Sequence, residues 1–426
     1  MSNRVVITGL GVVSPNGIGI PEFKNAIKNG VSGIRLIDRL VDLNFEAQIG
    51  GIPQISEELK SKYFTPLELM KFNASGILYG VIAGIDAWQD AGLKLGELDE
   101  EPDWDSGMIY GIGSIAADKL RDGIVLIDKL QVKRLGSNFV IQTMPSGISA
   151  YLAGKLGVGN QATTNSSACA TGSESILMAY DRIKAGKAKR MLAGGTNDSS
   201  PYTWAGFDAL RVTTYKHNDE PEKASQPMGY GASGFVAGSG SGAMVLESLE
   251  SALERGAHIY AEILGGNINT GGQKGDGSMT LPNSVGVQRC ILEALKDAGI
   301  TANDIDVING HLTSTGKCNL EIKNWSEALN RKGKDFPYIT ALKSMIGHTL
   351  GAAGAIESIA AVLQLEEGFL IPNINCENID PEILKLVDEE KITKTYTKKD
   401  INIIAKSSFG FGDVNACVIY KKYTGN

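Results

Sequence analysis

"TTNSSACATGSESILMAYDRIKAGKAKRMLAGG", residues 163–195, holds three patterns in succession. A polar run with no helical period comes first. Ile176, Tyr180 and Ile183 then recur at i, i+4 and i+7, the stripe of an amphipathic helix, and Gly186 supplies its stop. After a charged turn, "RMLAGG" (190–195) reads as a buried strand. Loop, helix and strand in that order build a layered α/β fold. Cys169 sits among small residues between the polar run and the helix. Helix-end N–H groups and the positive end of the dipole there predict a thiolate-favouring site, with a pKa below the roughly 8.5 of a free cysteine.

The same alternation extends outward along the chain. "RVVITGL" (4–10), "AMVLES" (243–248), "IYAEILGG" (259–266), "DVINGH" (306–311) and "INIIAKSS" (401–408) read as further buried strands. Ile356, Ile359, Ala360 and Leu363 form a second helical stripe ahead of Gly368. The pattern predicts helices covering a largely parallel sheet. "GSGSG" (238–242) lacks the Gly-Lys-Ser/Thr ending of a phosphate loop and reads as close backbone packing. The charged stretch 387–400 reads as a solvated hairpin or loop.

With 426 residues, 42% of them hydrophobic, the chain can bury the core of two domain-sized halves or one large unit. A formal charge of -7 excludes the basic excess that nucleic-acid or anionic-membrane binding needs. The amino-terminal apolar run is short, glycine-broken and without a cleavage pattern, and no stretch reaches the roughly 20 apolar residues of a membrane span. A cytoplasmic location follows as the expectation. The five cysteines are odd in number and form no CxxC pair, so reduced thiols are expected, with neither a disulfide framework nor a metal site.

A cysteine alone is most often a small buried hydrophobe. Its potential partners are two of only four histidines, His311 in "INGHLTSTGK" and His348 in "LKSMIGHTLGAAGAIES", each in a Gly- and Thr-rich loop after an apolar strand or turn. Strand ends are where α/β folds gather reactive groups. His217 and His258 lie in polar, charged surroundings and read as surface residues.

Five segments in order, "RVVITGLGVVSPNG", "ACATGS", "INGHLTST", "LKSMIGHTLGAAGAIE" and "SSFGFGDVN", resemble the β-ketoacyl-acyl-carrier-protein synthases of the elongating Cys-His-His kind, in the thiolase-like superfamily. The resemblance spans nearly the whole chain. It implies an α/β fold of two similar halves in a five-layer αβαβα sandwich, with residues 1–252 carrying the nucleophile and 253–426 both histidines and the glycine-rich gate loop. It further implies decarboxylative Claisen condensation of a Cys-bound acyl chain with malonyl carrier protein, in fatty-acid or specialised polyene or polyketide-type biosynthesis. The partner would be an acyl-carrier protein whose phosphopantetheine carries the substrates, with no separate cofactor and no metal. The enzyme would be a homodimer, or a heterodimer with a paralogous subunit. The alternative is a chain-length-factor-like partner subunit with little activity of its own, against which the joint presence of Cys169, His311 and His348 speaks. Thiolases resemble it less: they carry a second catalytic cysteine near the carboxyl end, whereas Cys417 lies in the apolar strand pattern "ACVIY".

On this resemblance Cys169 is the nucleophile, and the N–H groups of Cys169 and Phe411 form an oxyanion hole. Phe409 and Phe411 gate the acyl pocket. His311 and His348 donate to the enolate oxygen, Lys343 supports them, and Thr313 and Thr315 bind the phosphopantetheine arm. Lys71 and Arg211 fall at carrier-docking positions. The chain also departs from the family: Leu312, Gly316, Asn319 and Ile322 stand where Gly, Pro, Asp and Glu are usual, and Asp413 replaces a glycine. The usual Glu pairs with the lysine matched by Lys343, and a buried ammonium without a partner is costly, so two replacements are open: Glu321, one position earlier, or a set of hydroxyls and carbonyls around the lysine.

Overall fold

The chain is described by a computed structural model that covers residues 3–114 and 116–425. Its first set of elements runs β1 (Val5–Ser14), α1 (Ser75–Asp90), β2 (Ser106–Ile112), α2 (Gly147–Leu156), β3 (Ala162–Thr163), α3 (Thr171–Lys184), β4 (Arg190–Asn197) and β5 (Gly240–Ser248). A second set repeats that succession: β6 (Ala261–Thr270), α4 (Ser284–Ala298), β7 (Val307–Asn309), α5 (Cys318–Leu329), β8 (Tyr338–Thr340), α6 (Ala353–Glu367), β9 (Ile403–Gly410) and β10 (Val414–Lys422).

The strand orders repeat as well. The first set hydrogen-bonds in the order β1-β5-β4-β2-β3 and the second in the order β6-β10-β9-β7-β8. A short antiparallel pairing of Val5, Val6 and Ile7 with Ile263, Glu262 and Ala261 joins them. In each set the first three strands are antiparallel neighbours and only the last two join in parallel. The sheet is therefore mixed, not largely parallel. The tight β9–β10 turn shows why, since a turn that short can return the chain only antiparallel.

Helices α3 and α6 pack on each other and on strands of both sets, which makes them the middle of five layers. The outer layers are α1 with α2 on one side and α4 with α5 on the other. The central apolar slab holds the two stripes seen in the sequence: Ile176, Tyr180 and Ile183 from α3, with Ile356, Ile359, Ala360 and Leu363 from α6. Each fully buried aliphatic side chain there contributes roughly 1.5–3 kcal/mol.

Two glycines let the central helices meet. A Cβ on Gly172 would lie 2.5 Å from the Ala355 nitrogen, and one on Gly354 would lie 2.4 Å from the Ser173 nitrogen. Backbone can approach backbone so closely only where no side chain intervenes. The contact brings the amino-terminal ends of both helices to one place. Among the described residues no helix is long and apolar enough to cross a membrane.

Candidate active site

Matching single turns precede the two central helices. The 3₁₀ turn Ala168–Ala170 leads into α3 and carries Cys169; the turn Leu350–Ala352 leads into α6 just after His348. Ala168 and Leu350 share an unusual left-handed backbone, with φ of 49° and 52°. Leu312, immediately after His311, has φ 24°, and Asp413 has φ 62°. Non-glycine residues in this region are strained and persist only where their surroundings hold them. Each of the four is one or two residues from a predicted site residue.

His311 leaves the end of β7, and His348 follows the short helix Lys343–Ile346. One donor atom from each of Cys169, His311 and His348 lies within 4.8 Å of the other two. His348 Nε2 is 3.0 Å from Cys169 Sγ, and the two imidazole rings meet edge to face with centroids 5.2 Å apart. The Leu350 N–H donates to His348 Nδ1 (3.3 Å), and Lys343 Nζ stands 3.4 Å from His311 Nδ1. With both Nδ1 atoms accepting, the ring protons sit on Nε2. A metal cation in this cluster would face the Lys343 ammonium, so the charge here suits an anion.

Burial holds both histidines well below 6.5, and the positive charges of Lys343 and Lys406 add to the effect. The imidazoles are thus neutral hydrogen-bond donors at neutral pH. Cys169 corrects the expectation of a lowered thiol pKa. Its removal from water pushes it up to about 11, against the opposing pull of Lys343 and of the Phe411 and Cys169 N–H groups. Desolvation of the thiolate outweighs the helix end.

The carboxylate on Lys343 is Glu357, from α6, and not Glu321. Glu321 instead accepts the N–H groups of His311 and Leu312, both at 2.7 Å, and the Ser407 hydroxyl at 3.1 Å. It pins the strained loop that carries His311. A second fully buried lysine, Lys406, sits 2.8 Å from the other oxygen of Glu357. The sequence reading passed over Glu357 and Lys406, although a lone charge inside an apolar run, "GAAGAIES" or "IIAKSS", was the available signal.

A cavity of about 400 Å³ opens on the cluster. Phe207, Phe235, Leu350, Phe409 and Phe411 line it, as do Thr313 and Thr315, whose hydroxyl oxygens are 3.0 Å apart. Phe409 lies edge-on to His311 at 6.3 Å and Phe411 packs on Phe207 at 6.1 Å. Asp413 ties the Phe411 turn to the neighbouring segment by accepting the N–H groups of Gln273 (2.9 Å) and Asn283 (2.8 Å). Lys71 and Arg211 lie outside this lining, and Lys317 is the cation within it. His258 is exposed beside Glu366, and His217 is half-buried beside Gln226. All five cysteines are free, with Cys417 fully buried.

The family pattern described as Beta-ketoacyl synthase, N-terminal domain, matches residues 2–252, and its C-terminal counterpart matches residues 260–377. The chain is 35% identical to 3-oxoacyl-[acyl-carrier-protein] synthase 2 of Vibrio harveyi, over 98% of each chain. Among solved structures it is similar to the ishigamide ketosynthase/chain length factor, with 28% identity, TM-score 0.88 and all of both chains covered. It is also similar to the type II polyketide ketosynthase AntDE, solved with its acyl-carrier protein AntF, with 28% identity, TM-score 0.86 and 99% of this chain and 100% of that one covered.

Proposed function

The chain belongs to the β-ketoacyl synthase family of acyl-condensing transferases, and on that premise we propose how its own residues divide the reaction. It condenses a carrier-borne acyl group with a malonyl group in fatty-acid or polyketide-type synthesis. The single observation that supports the assignment best is the sulfur of Cys169 at 3.0 Å from a neutral imidazole, with a second imidazole alongside.

In the first half-reaction the Cys169 sulfur attacks the thioester carbonyl of an acyl-carrier protein. A new C–S bond forms, the old one breaks, and the thiol proton leaves with the pantetheine sulfur. The N–H groups of Cys169 and Phe411 receive the developing oxyanion. The covalent intermediate divides one difficult condensation into two easier steps.

In the second half-reaction malonyl carrier protein loses carbon dioxide, and the electron pair of the broken C–C bond becomes an enolate. Its oxygen accepts hydrogen bonds from Nε2–H of His311 and His348. Neutral donors suit this task, because a full positive charge on either buried ring would be costly. The enolate carbon then attacks the Cys169-bound carbonyl, and the thiolate departs to be reprotonated. Lys343, on His311 Nδ1, fixes the tautomer that points a proton inward.

Thr313 and Thr315 would hydrogen-bond the pantetheine arm, Phe409 and Phe411 would gate the acyl chain, and Lys71 and Arg211 would meet the acidic carrier. Residues 1–252 and 253–426 serve as the two halves, in a homodimer or paired with a paralogous subunit. Similarity to a ketosynthase/chain length factor supports the paired form. A partner subunit without activity would have no use for the Cys169–His348 contact.

The test supplies purified protein with acyl- and malonyl-loaded carrier proteins. A β-ketoacyl product and carbon dioxide are expected. Cys169→Ala should abolish condensation while malonyl decarboxylation survives; an alanine variant that condenses normally would refute the covalent route.

A further inference from the structure

Lys406 is a fully buried ammonium that the steps above do not use. It projects from β9, three residues ahead of Phe409, in a strand otherwise apolar up to that point. Its Nζ meets only oxygens: Glu357 Oε2 at 2.8 Å, Ser408 Oγ at 3.2 Å, and the Ser407 carbonyl. Its register partner on β7 is Asn309, whose amide donates to the Glu357 carbonyl at 3.3 Å. Glu357 therefore stands between two ammonium groups, with Oε1 on Lys343 and Oε2 on Lys406. Lys343 in turn touches His311.

We propose that Lys406 is a positioning residue for the condensation step: by holding the far oxygen of Glu357, it fixes the carboxylate that aims Lys343 at His311 Nδ1. A buried carboxylate bridging two cations cannot rotate without stranding one of them, and stranding a buried charge is expensive. Two lysines and two acids, Glu357 and Glu321, thus share the cluster behind the histidines.

The groups that titrate around Lys406 are Glu357 on α6, Glu321 on α5, Lys343, Cys417 on β10 and the two imidazoles. Its positive charge disfavours imidazolium on both rings. Removing the charge should raise both histidine pKa values and move the acid limb of the rate profile to higher pH.

The inference rests on the condensing role proposed above, so wild-type protein is assayed first; if it does not condense malonyl carrier protein, that role fails and not the ion-pair geometry. Lys406→Met keeps the packing and removes the charge, while Lys406→Ala leaves an oxygen-lined gap. For Lys406→Met, acylation of Cys169 should stay within roughly threefold of wild type, while kcat for condensation falls roughly 10- to 100-fold and the acid limb moves up in pH. Ammonium chloride should restore part of the lost rate to Lys406→Ala, and sodium chloride at equal ionic strength should not. A Lys406→Met enzyme that condenses within roughly threefold of wild type with an unmoved acid limb would overturn the proposal. So would failure of both variants to fold with or without ammonium, which would make Lys406 a residue of the core alone.

Discussion

His348 Nε2 stands 3.0 Å from Cys169 Sγ across the gap between the amino-terminal ends of α3 and α6. Neither helix could bring its end there alone. Each enters through a left-handed turn, and Gly172 and Gly354 let the two backbones touch. Cys169 and its imidazole partner therefore come from opposite sets of the repeated topology and depend on the central layer for their spacing.

That dependence is testable by substitution. Gly172→Ala or Gly354→Ala forces a methyl group against a backbone nitrogen at 2.5 or 2.4 Å, which neither helix can relieve by a rotamer change. Each should cost about 3 kcal/mol or more, read by denaturant unfolding. Gly206→Ala, whose Cβ would meet nothing within 4 Å, is the control and should be neutral or slightly stabilising.

Cys169 should behave as a thiol of high pKa. Burial pushes it up to about 11, so alkylation by iodoacetamide should accelerate with pH, roughly tenfold per unit, throughout the neutral and mildly alkaline range. The rate is followed by mass spectrometry of the peptide containing Cys169. A plateau reached by about pH 8 would show instead that the helix end outweighs desolvation.

His311 and His348 make folding sensitive to acid. Their folded pKa values lie well below 6.5, so below that pH the unfolded chain binds protons that the folded chain refuses. Stability is therefore lost as pH falls through about 6.5, by up to roughly 1.4 kcal/mol per pH unit for each group. A His311→Asn, His348→Asn double variant should lose less Tm than wild type between about pH 7.5 and about pH 5.5. Equal losses would show that these rings are not the cause.

Glu321 holds the loop that aims His311. Glu321→Ala strands the N–H groups of His311 and Leu312 in a buried position and should destabilise the fold by about 3 kcal/mol. Condensation should fall more than acylation of Cys169, because the proposed mechanism uses His311 only in the second half-reaction. Equal losses in both steps would place the effect on folding alone.

Much of this was legible in the sequence, for a physical reason. The stripes of α3 and α6 are regular because each helix packs asymmetrically, and Cys169, His311 and His348 stand out because loops of small residues frame them in the sequence. Helix α1, "SGILYGVIAGIDAWQD", escaped notice: it is buried around most of its circumference and shows no apolar stripe. Strand β7 was legible within "DVINGH", whereas β8 is three residues long, too short for a clear period within the apolar run around it. The repeat lies in strand order, which needs no matching residues. Glu357 and Lys406 were missed because their partners lie far apart in the chain, and Glu321, one candidate partner for Lys343, has the nearer task of holding a strained backbone.

The central claim, that Cys169 carries the acyl chain covalently, is tested most directly by intact and peptide mass spectrometry after incubation with a panel of acyl-loaded carrier proteins. The account predicts one acyl group per chain, on the peptide containing Cys169, that disappears when malonyl carrier protein is added as the β-ketoacyl product forms. Acyl mass on another residue, or product formation with no acyl group ever on Cys169, would contradict it.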